Sequence, residues 1–138
     1  MKHHFSLAWL LLLILGCAIN LLAQEEAATV AVERIAIAKA IVDREPVESG
    51  DSFSTETATL FCFTHITGVE GETTITHRWF YNDSLTWDVK LPVRSKSWRT
   101  FSSKNFVDEW VGEWKVIILD EAGNELTQKS FMRTEDAN

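Results

Sequence analysis

Alternation of apolar and polar residues dominates the chain after its first two dozen positions. Residues 75–81 and 85–91 each alternate: Ile75, His77, Trp79 and Tyr81 share one face of the first segment, and apolar side chains occupy every second position of the other. A period of two is typical of a β-strand with one buried face. The pair Asn82-Asp83 between the two segments favours a tight turn, so the pattern predicts a β-hairpin.

Other segments extend this pattern over the rest of the chain. Residues 57–66 are apolar on both faces, which predicts a central strand. Residues 30–42 mix helix-favouring and β-branched residues, and we predict a strand there. Residues 43–54, which contain Pro46 and Gly50, predict a loop. Shorter strands are predicted over residues 98–103, 113–120 and 125–133.

About seven short strands without an amphipathic helix predict an all-β fold. We expect a small antiparallel β-sandwich, immunoglobulin-like in general architecture. One domain spans about residues 28–134, with an N-terminal strand and loop in residues 24–55 and the β core in residues 56–134. This length buries enough surface to fold without a metal or a disulfide.

The first 23 residues are typical of an export signal: a lysine near the start is followed by a long apolar run. Three outcomes of export remain open for this segment. The segment is cleaved after Ala23, or it ends before Cys17 as a lipoprotein signal, or it stays as a membrane anchor. Each of them predicts a periplasmic or extracellular domain. Contact with the membrane is expected only through an uncleaved or lipidated N-terminus.

Charge is unevenly distributed along the chain. The formal net charge is −7, which disfavours nucleic acid as a partner because phosphate is repelled at long range. Residues 77–104 nevertheless carry six basic residues and only two acidic ones, Asp83 and Asp88. The basic residues are Arg78, Lys90, Arg94, Lys96, Arg99 and Lys104. This local excess of positive charge allows a site for an anion.

The period of two suggests how these basic residues are arranged. If the tryptophans of the strands point inward, then Arg78, Lys90 and Arg99 point outward, and we expect one basic sheet face. The alternative is a solvated face whose cations pair with the protein's own acids. Ser102 and Ser103 suggest either a strand-ending turn or, together with Arg99 and Lys104, a nest for one carboxylate or phosphate.

The five tryptophans from Trp79 to Trp114 also allow two interpretations. Their alternation with polar residues favours a core role over a platform for stacking sugars. Trp110, which follows Asp108-Glu109 in a loop-like segment, is the tryptophan that we expect nearest the surface.

No catalytic or metal-binding motif is evident. His65 and His77 are the histidines that follow the leader, and Cys62 is the remaining cysteine. A zinc site needs three or four ligands, so we expect no metal and no cofactor. We expect Cys62 to be a buried, inert side chain and His77 to be hydrogen-bonded. The chain is not expected to be an enzyme.

Several sequence segments resemble a bacterial family known as domain of unknown function 2914. The resemblance covers Phe61–Arg133 and rests mainly on the HRWFY segment at residues 77–81 and the RTFSSK segment at residues 99–104. It implies an exported or membrane-attached protein with a small β-sandwich. No activity is established for that family.

The sequence thus predicts a non-catalytic binding module of the cell envelope that uses a basic sheet face. Its partners would be an anionic glycan, a lipid headgroup or an envelope protein. The alternative is a structural or assembly partner of another envelope protein, docking near Trp110 and Val111.

Overall fold

The computed structural model describes residues 29–107 and 110–135. The predicted signal segment, with Cys17 and Ala23, lies outside the described residues. The described part of the chain forms strands and no helix, and it contains no helix long and apolar enough to cross a membrane. The strands are β1 (Ala31–Val42), β2 (Glu45–Ser49), β3 (Ser52–Ser54), β4 (Thr59–Thr67), β5 (Thr73–Tyr81), β6 (Ser84–Val93), β7 (Ser97–Asn105), β8 (Gly112–Leu119) and β9 (Glu125–Thr134).

These strands form two sheets, which confirms the all-β sandwich. The four-stranded sheet has the order β2-β1-β4-β7, and the five-stranded sheet has the order β3-β9-β8-β5-β6. Neighbouring strands are antiparallel except for the short β3, which pairs in parallel with β9. The two predicted hairpins, β5–β6 and β8–β9, are both present, and β4 is a central strand as expected.

The prediction of a loop over residues 43–54 was wrong, because this segment contains β2 and β3. Pro46 and Gly50 suggested a loop, but β2 lies at the edge of its sheet. A proline is tolerated at an edge, where its missing N–H need not enter a ladder. The described residues therefore contain two strands more than the seven predicted.

Large aromatic side chains fill the space between the sheets. Trp79, Trp114 and Phe131 are buried, and Phe131 packs edge-to-face on Trp79 and stacks on Trp114. The four-stranded sheet contributes apolar residues from β1 and β4 to the same core. Cys62 is fully buried there as predicted, and burial raises the pKa of its thiol, which keeps it protonated.

A β-bulge interrupts the alternation that the sequence predicted in β6. Trp79 pairs with Trp87, but the next pair joins Phe80 to Leu85, which leaves Thr86 as the extra residue. Leu85 is consequently 56% exposed, although the sequence placed it on the same face as Trp87.

The β1–β2 hairpin folds back over the outer face of the four-stranded sheet. Glu45 pairs with Val42, and Val42 lies eight positions beyond Arg34 along β1. A straight strand would separate these positions by about 26 Å, yet Arg34 Nη1 lies 2.9 Å from Glu45 Oε2. β1 must therefore bend. Phe63 is buried on this face, where the Arg34 guanidinium lies 5.2 Å from its ring centroid.

A chain of hydrogen bonds through His77 connects the two sheets inside the core. Trp79 Nε1–H donates to Ser102 Oγ at 3.2 Å, because an indole N–H is only a donor. The Ser102 hydroxyl can then donate to His77 Nδ1 at 2.7 Å. Thr64 Oγ1 donates to the Thr100 carbonyl oxygen at 3.3 Å, so it accepts a bond from His77 Nε2–H at 3.1 Å.

This network assigns a neutral imidazole with its proton on Nε2. His77 belongs to the five-stranded sheet, whereas Thr64 and Ser102 belong to the four-stranded sheet. Burial lowers the pKa of His77 to about 3, because the charged imidazolium would lose its hydration. The expectation of a hydrogen-bonded His77 is confirmed.

We predict that His77 makes the stability of the fold depend on pH below pH 6.5. Above that pH, the histidine is neutral in both the folded and the unfolded chain. As the pH falls, the unfolded chain takes up a proton that the folded chain does not bind. The free energy of unfolding should then decrease by up to about 1.4 kcal/mol per pH unit, with the loss continuing towards pH 3.

Urea denaturation at pH 7, 6 and 5 measures this effect. His77→Gln removes the titrating group and should give a flatter dependence on pH than the unchanged protein. His65→Gln, which alters the partly exposed histidine, is the matched control and should keep the slope. Equal slopes for the unchanged protein and His77→Gln would contradict the assignment.

Candidate functional site

The predicted basic residues do not share one sheet face, so that expectation was wrong. Arg78 and Lys90 lie on the outer face of the five-stranded sheet, on β5 and β6. Arg99 lies on β7, which belongs to the four-stranded sheet, and it points to the opposite side of the sandwich. The sequence shows which residues alternate, but it does not show that β7 pairs with β4 rather than with β6.

The predicted anion nest is also wrong. Ser102, Ser103 and Lys104 lie within β7, which continues to Asn105, so they form neither a turn nor a strand end. Ser102 points into the core, where it bonds His77. Because side chains alternate along a strand, Lys104 points to the same side as Ser102, whereas Arg99 and Ser103 point outward.

On the five-stranded sheet, Arg78 is paired with an acid of the protein itself. Its guanidinium donates two hydrogen bonds to Asp88, at 2.8 and 2.9 Å. This bonding raises the pKa of Arg78 and lowers that of Asp88. Lys90 lines a shallow depression together with Asp120 and Glu121. This face therefore fits the alternative prediction, a solvated face whose cations pair with the protein's own acids.

A more distinctive site lies on the four-stranded sheet. Its centre is a surface cavity of about 350 Å³, which we call the arginine depression. The tip of the β1–β2 hairpin and the first half of β7 line it. The lining residues are Arg44, Ser97, Trp98, Arg99 and Phe101.

The electrostatics of the arginine depression favour an anion. Glu45 accepts a hydrogen bond from Arg34 at 2.9 Å and lies 3.4 Å from Arg99. The hydrogen bond from Arg34 lowers the pKa of Glu45, which keeps this carboxylate ionised. No carboxylate of the described residues lies within 4.0 Å of Arg44. Arg34 and Arg99 thus share one carboxylate, and Arg44 adds a further guanidinium group to the lining of the depression.

Arg44 is held in an unusual backbone conformation. Asp43 and Arg44 have φ angles of 51° and 63°, and they connect the register pair Val42 and Glu45. Left-handed φ values at both positions are typical of a type I′ hairpin turn, in which glycine or asparagine is preferred. An arginine there costs about 1–2 kcal/mol. Strained residues of this kind cluster at functional sites.

Sequence reasoning included Arg99 but missed Arg44 as a site residue. The signal in the sequence was the polar pair Asp43-Arg44 between two segments that form strands. Because residues 43–54 were predicted to be a loop, this pair was not recognised as a hairpin turn. Nothing in the sequence indicated that the hairpin bends back and brings Arg44 near β7.

Aromatic side chains beside these polar groups differ in exposure. Trp79 and Trp114 are core residues, as the alternation predicted. Trp110 is 37% exposed, which agrees with its expected position near the surface, and Trp87 is 39% exposed. In the arginine depression, Phe101 is 45% exposed and packs edge-on against Phe61 at 5.9 Å between centroids.

Within the described residues, no group of three or more histidine, cysteine, aspartate or glutamate side chains is placed to hold a metal ion. His65 lies 2.7 Å from the Ser97 hydroxyl and 3.7 Å from a Glu33 carboxylate oxygen. These contacts orient Ser97 at the rim of the arginine depression.

Comparison with known proteins adds a family resemblance. No curated protein matches the chain. A family model described as "Protein of unknown function (DUF2914)" matches residues 72–132, a segment that includes Arg99 and Phe101 but not Arg44. The match confirms that this chain resembles the family called domain of unknown function 2914.

Proposed function

We propose that this protein is a non-catalytic binding module of the cell envelope that recognises an acidic glycan at the arginine depression. The observation that carries the proposal is a cavity of about 350 Å³ in which Arg44 and Arg99 lie beside the exposed ring of Phe101. Cavities of this size fit the lower range of small-ligand sites.

The guanidinium groups account for the acidic part of such a ligand. Arg99 has one neighbouring carboxylate oxygen at 3.4 Å, and Arg34 shares the same Glu45 side chain. The planar guanidinium of Arg44 has no ion pair with a described residue, so it can bind the acidic group of a ligand. Arginine binds carboxylate, sulfate or phosphate through two parallel hydrogen bonds, which gives orientation as well as affinity.

The aromatic ring accounts for the choice of a glycan. Phe101 offers a flat apolar surface beside the cations, and its packing against Phe61 fixes the ring. The CH groups of a sugar ring can pack on such a surface while its acidic group reaches an arginine. The headgroup of phosphatidylglycerol supplies an anion but no ring for Phe101, so we favour the glycan.

We predict that binding of tetragalacturonate, an acidic oligosaccharide, depends on both arginines. Arg99→Gln and Arg44→Gly should each weaken binding by at least about tenfold, because a charged hydrogen bond contributes about 1.5–3 kcal/mol. Arg44→Gly also removes backbone strain, so it should leave the free energy of unfolding unchanged or raise it by up to about 1 kcal/mol. Isothermal titration calorimetry and urea denaturation measure the two effects.

Lys90→Gln is the matched control, because it removes a positive charge from the opposite face. It should retain full affinity, and neutral maltotetraose should not bind. If Lys90→Gln loses as much affinity as Arg99→Gln, binding follows net charge rather than this site, and the proposal fails. It also fails if Arg44→Gly binds like the unchanged protein.

We also propose that the domain works outside the cytoplasm. The support is the leader sequence, with its lysine, its apolar run and the small residue Ala23 before an acidic stretch. Mass spectrometry of the protein purified from bacterial cells should find an N-terminus at Gln24, at a lipidated Cys17, or at Met1 in the membrane fraction if the segment stays as an anchor. A chain that begins at Met1 in the cytosolic fraction would contradict export.

A second candidate function, docking to another envelope protein, is favoured by two exposed valines near Trp110 in the sequence, which we call the apolar rim. Val107 is 91% exposed, and Val111 is 38% exposed. Large exposed apolar patches mark interaction sites more often than single residues do.

A photo-crosslinking amino acid at position 107 tests the docking candidate in envelope preparations. We expect one discrete adduct, which Val111→Asp in the same chain should abolish. A crosslinker at position 90 serves as the control. The same adducts at both positions would exclude docking at this rim.

A further inference from the structure

The ammonium group of Lys104 lies inside a box of aromatic rings. Its Nζ atom is 5.5 Å from the ring centroid of Trp87, 6.0 Å from that of Phe106, 5.6 Å from that of Trp110 and 5.7 Å from that of Trp114. These distances lie within the range of cation–π attraction. We call the four rings the aromatic cage.

The aromatic cage is rigidly built. Trp110 stacks on Trp114 with 5.5 Å between centroids, and Trp114 Nε1 donates to the Trp110 carbonyl oxygen at 3.1 Å. Tyr81 packs against both indoles and donates its hydroxyl proton to the Val111 carbonyl oxygen at 2.6 Å. Phe106 stands perpendicular to Trp114.

Backbone strain supports the same geometry. Trp110 has a φ of 38°, a left-handed value that is rare for a bulky residue. The stacking and the hydrogen bond to its carbonyl oxygen hold it there. Strained residues cluster at functional sites, and this one presents an aromatic ring that is 37% exposed.

Lysine is a poor match for the cage that it occupies. An ammonium group has three N–H donors, and none of those on Lys104 is hydrogen-bonded or ion-paired to a described residue. Burial among the rings also lowers the pKa of Lys104. A quaternary ammonium group has no N–H to satisfy and is weakly hydrated, so the same rings suit it better.

The cage is open to a ligand on one side. Trp87 and Trp110 are each more than a third exposed, and the Lys104 side chain is partly exposed between them. The long lysine chain can therefore swing out without disturbing the core. Because Lys104 and Arg99 point to opposite sides of β7, this site is independent of the arginine depression.

We propose that the aromatic cage is a binding site for a quaternary ammonium group, and that Lys104 fills the cage when no ligand is bound. The ligand class is defined by its trimethylammonium group. This group occurs both in free choline and in the headgroup of phosphatidylcholine, and the experiment distinguishes these two sources.

Titration with choline chloride, at ionic strength matched with sodium chloride, tests the site. The unchanged protein should show saturable binding in the millimolar range by NMR. Lys104→Gln removes the internal competitor and should bind choline at least about fivefold more tightly. Adding Trp110→Leu to Lys104→Gln should abolish binding. Lys115→Gln is the matched control, because Lys115 lies 5.2 Å from the ring of Phe80, outside the cage.

A second measurement does not depend on any variant. The Hε signals of Lys104 in the unchanged protein should be shifted upfield by the surrounding rings and should move towards ordinary lysine values as choline saturates the site. Binding to phosphatidylcholine vesicles but not to phosphatidylglycerol vesicles would identify the lipid as a source, whereas binding of choline alone would identify a soluble ligand.

Two results would overturn the proposal. In the first, choline fails to bind the unchanged protein and Lys104→Gln alike, and the Lys104 signals do not move. In the second, choline binds Lys104→Gln but never displaces Lys104 from the unchanged protein, which would make the lysine a permanent part of the structure.

Discussion

The imidazole of His77 is the polar contact on which the arrangement of the two sheets depends. It lies between β4 and β7 on one side and its own strand β5 on the other, and each ring nitrogen has a hydroxyl partner. A buried polar group without a partner costs about 1–3 kcal/mol. Shifting one sheet against the other would therefore break two bonds that cannot be replaced in the apolar core. The network thus favours one alignment of the sheets.

Ser102 connects this network to the surface sites. By holding one inward-pointing residue of β7 against His77 and Trp79, the core determines which residues of that strand point inward and which point outward. Arg99 and Phe101 are then directed towards the β1–β2 hairpin, and Lys104 towards the aromatic rings. One edge strand supplies both proposed sites through the alternation of its side chains.

Both sites also contain residues with left-handed backbone conformations. Arg44 extends from the tip of a bent hairpin, and Trp110 is fixed by stacking on Trp114. Each conformation costs stability that a glycine would not cost. In each case the strained residue presents a cation or an aromatic ring at the surface, where recognition of a ligand requires it.

The sequence by itself determined the all-β class, the two hairpins, the central strand β4 and the buried Cys62, because a period of two and turn residues are local properties. It also placed Trp110 near the surface. Only the tertiary structure decided that β7 joins β4, which separates Arg99 from Arg78, and that β1 bends and brings Arg44 to the same depression. Sheet partners and strand bending depend on packing between residues far apart in sequence, and a local pattern does not contain that information.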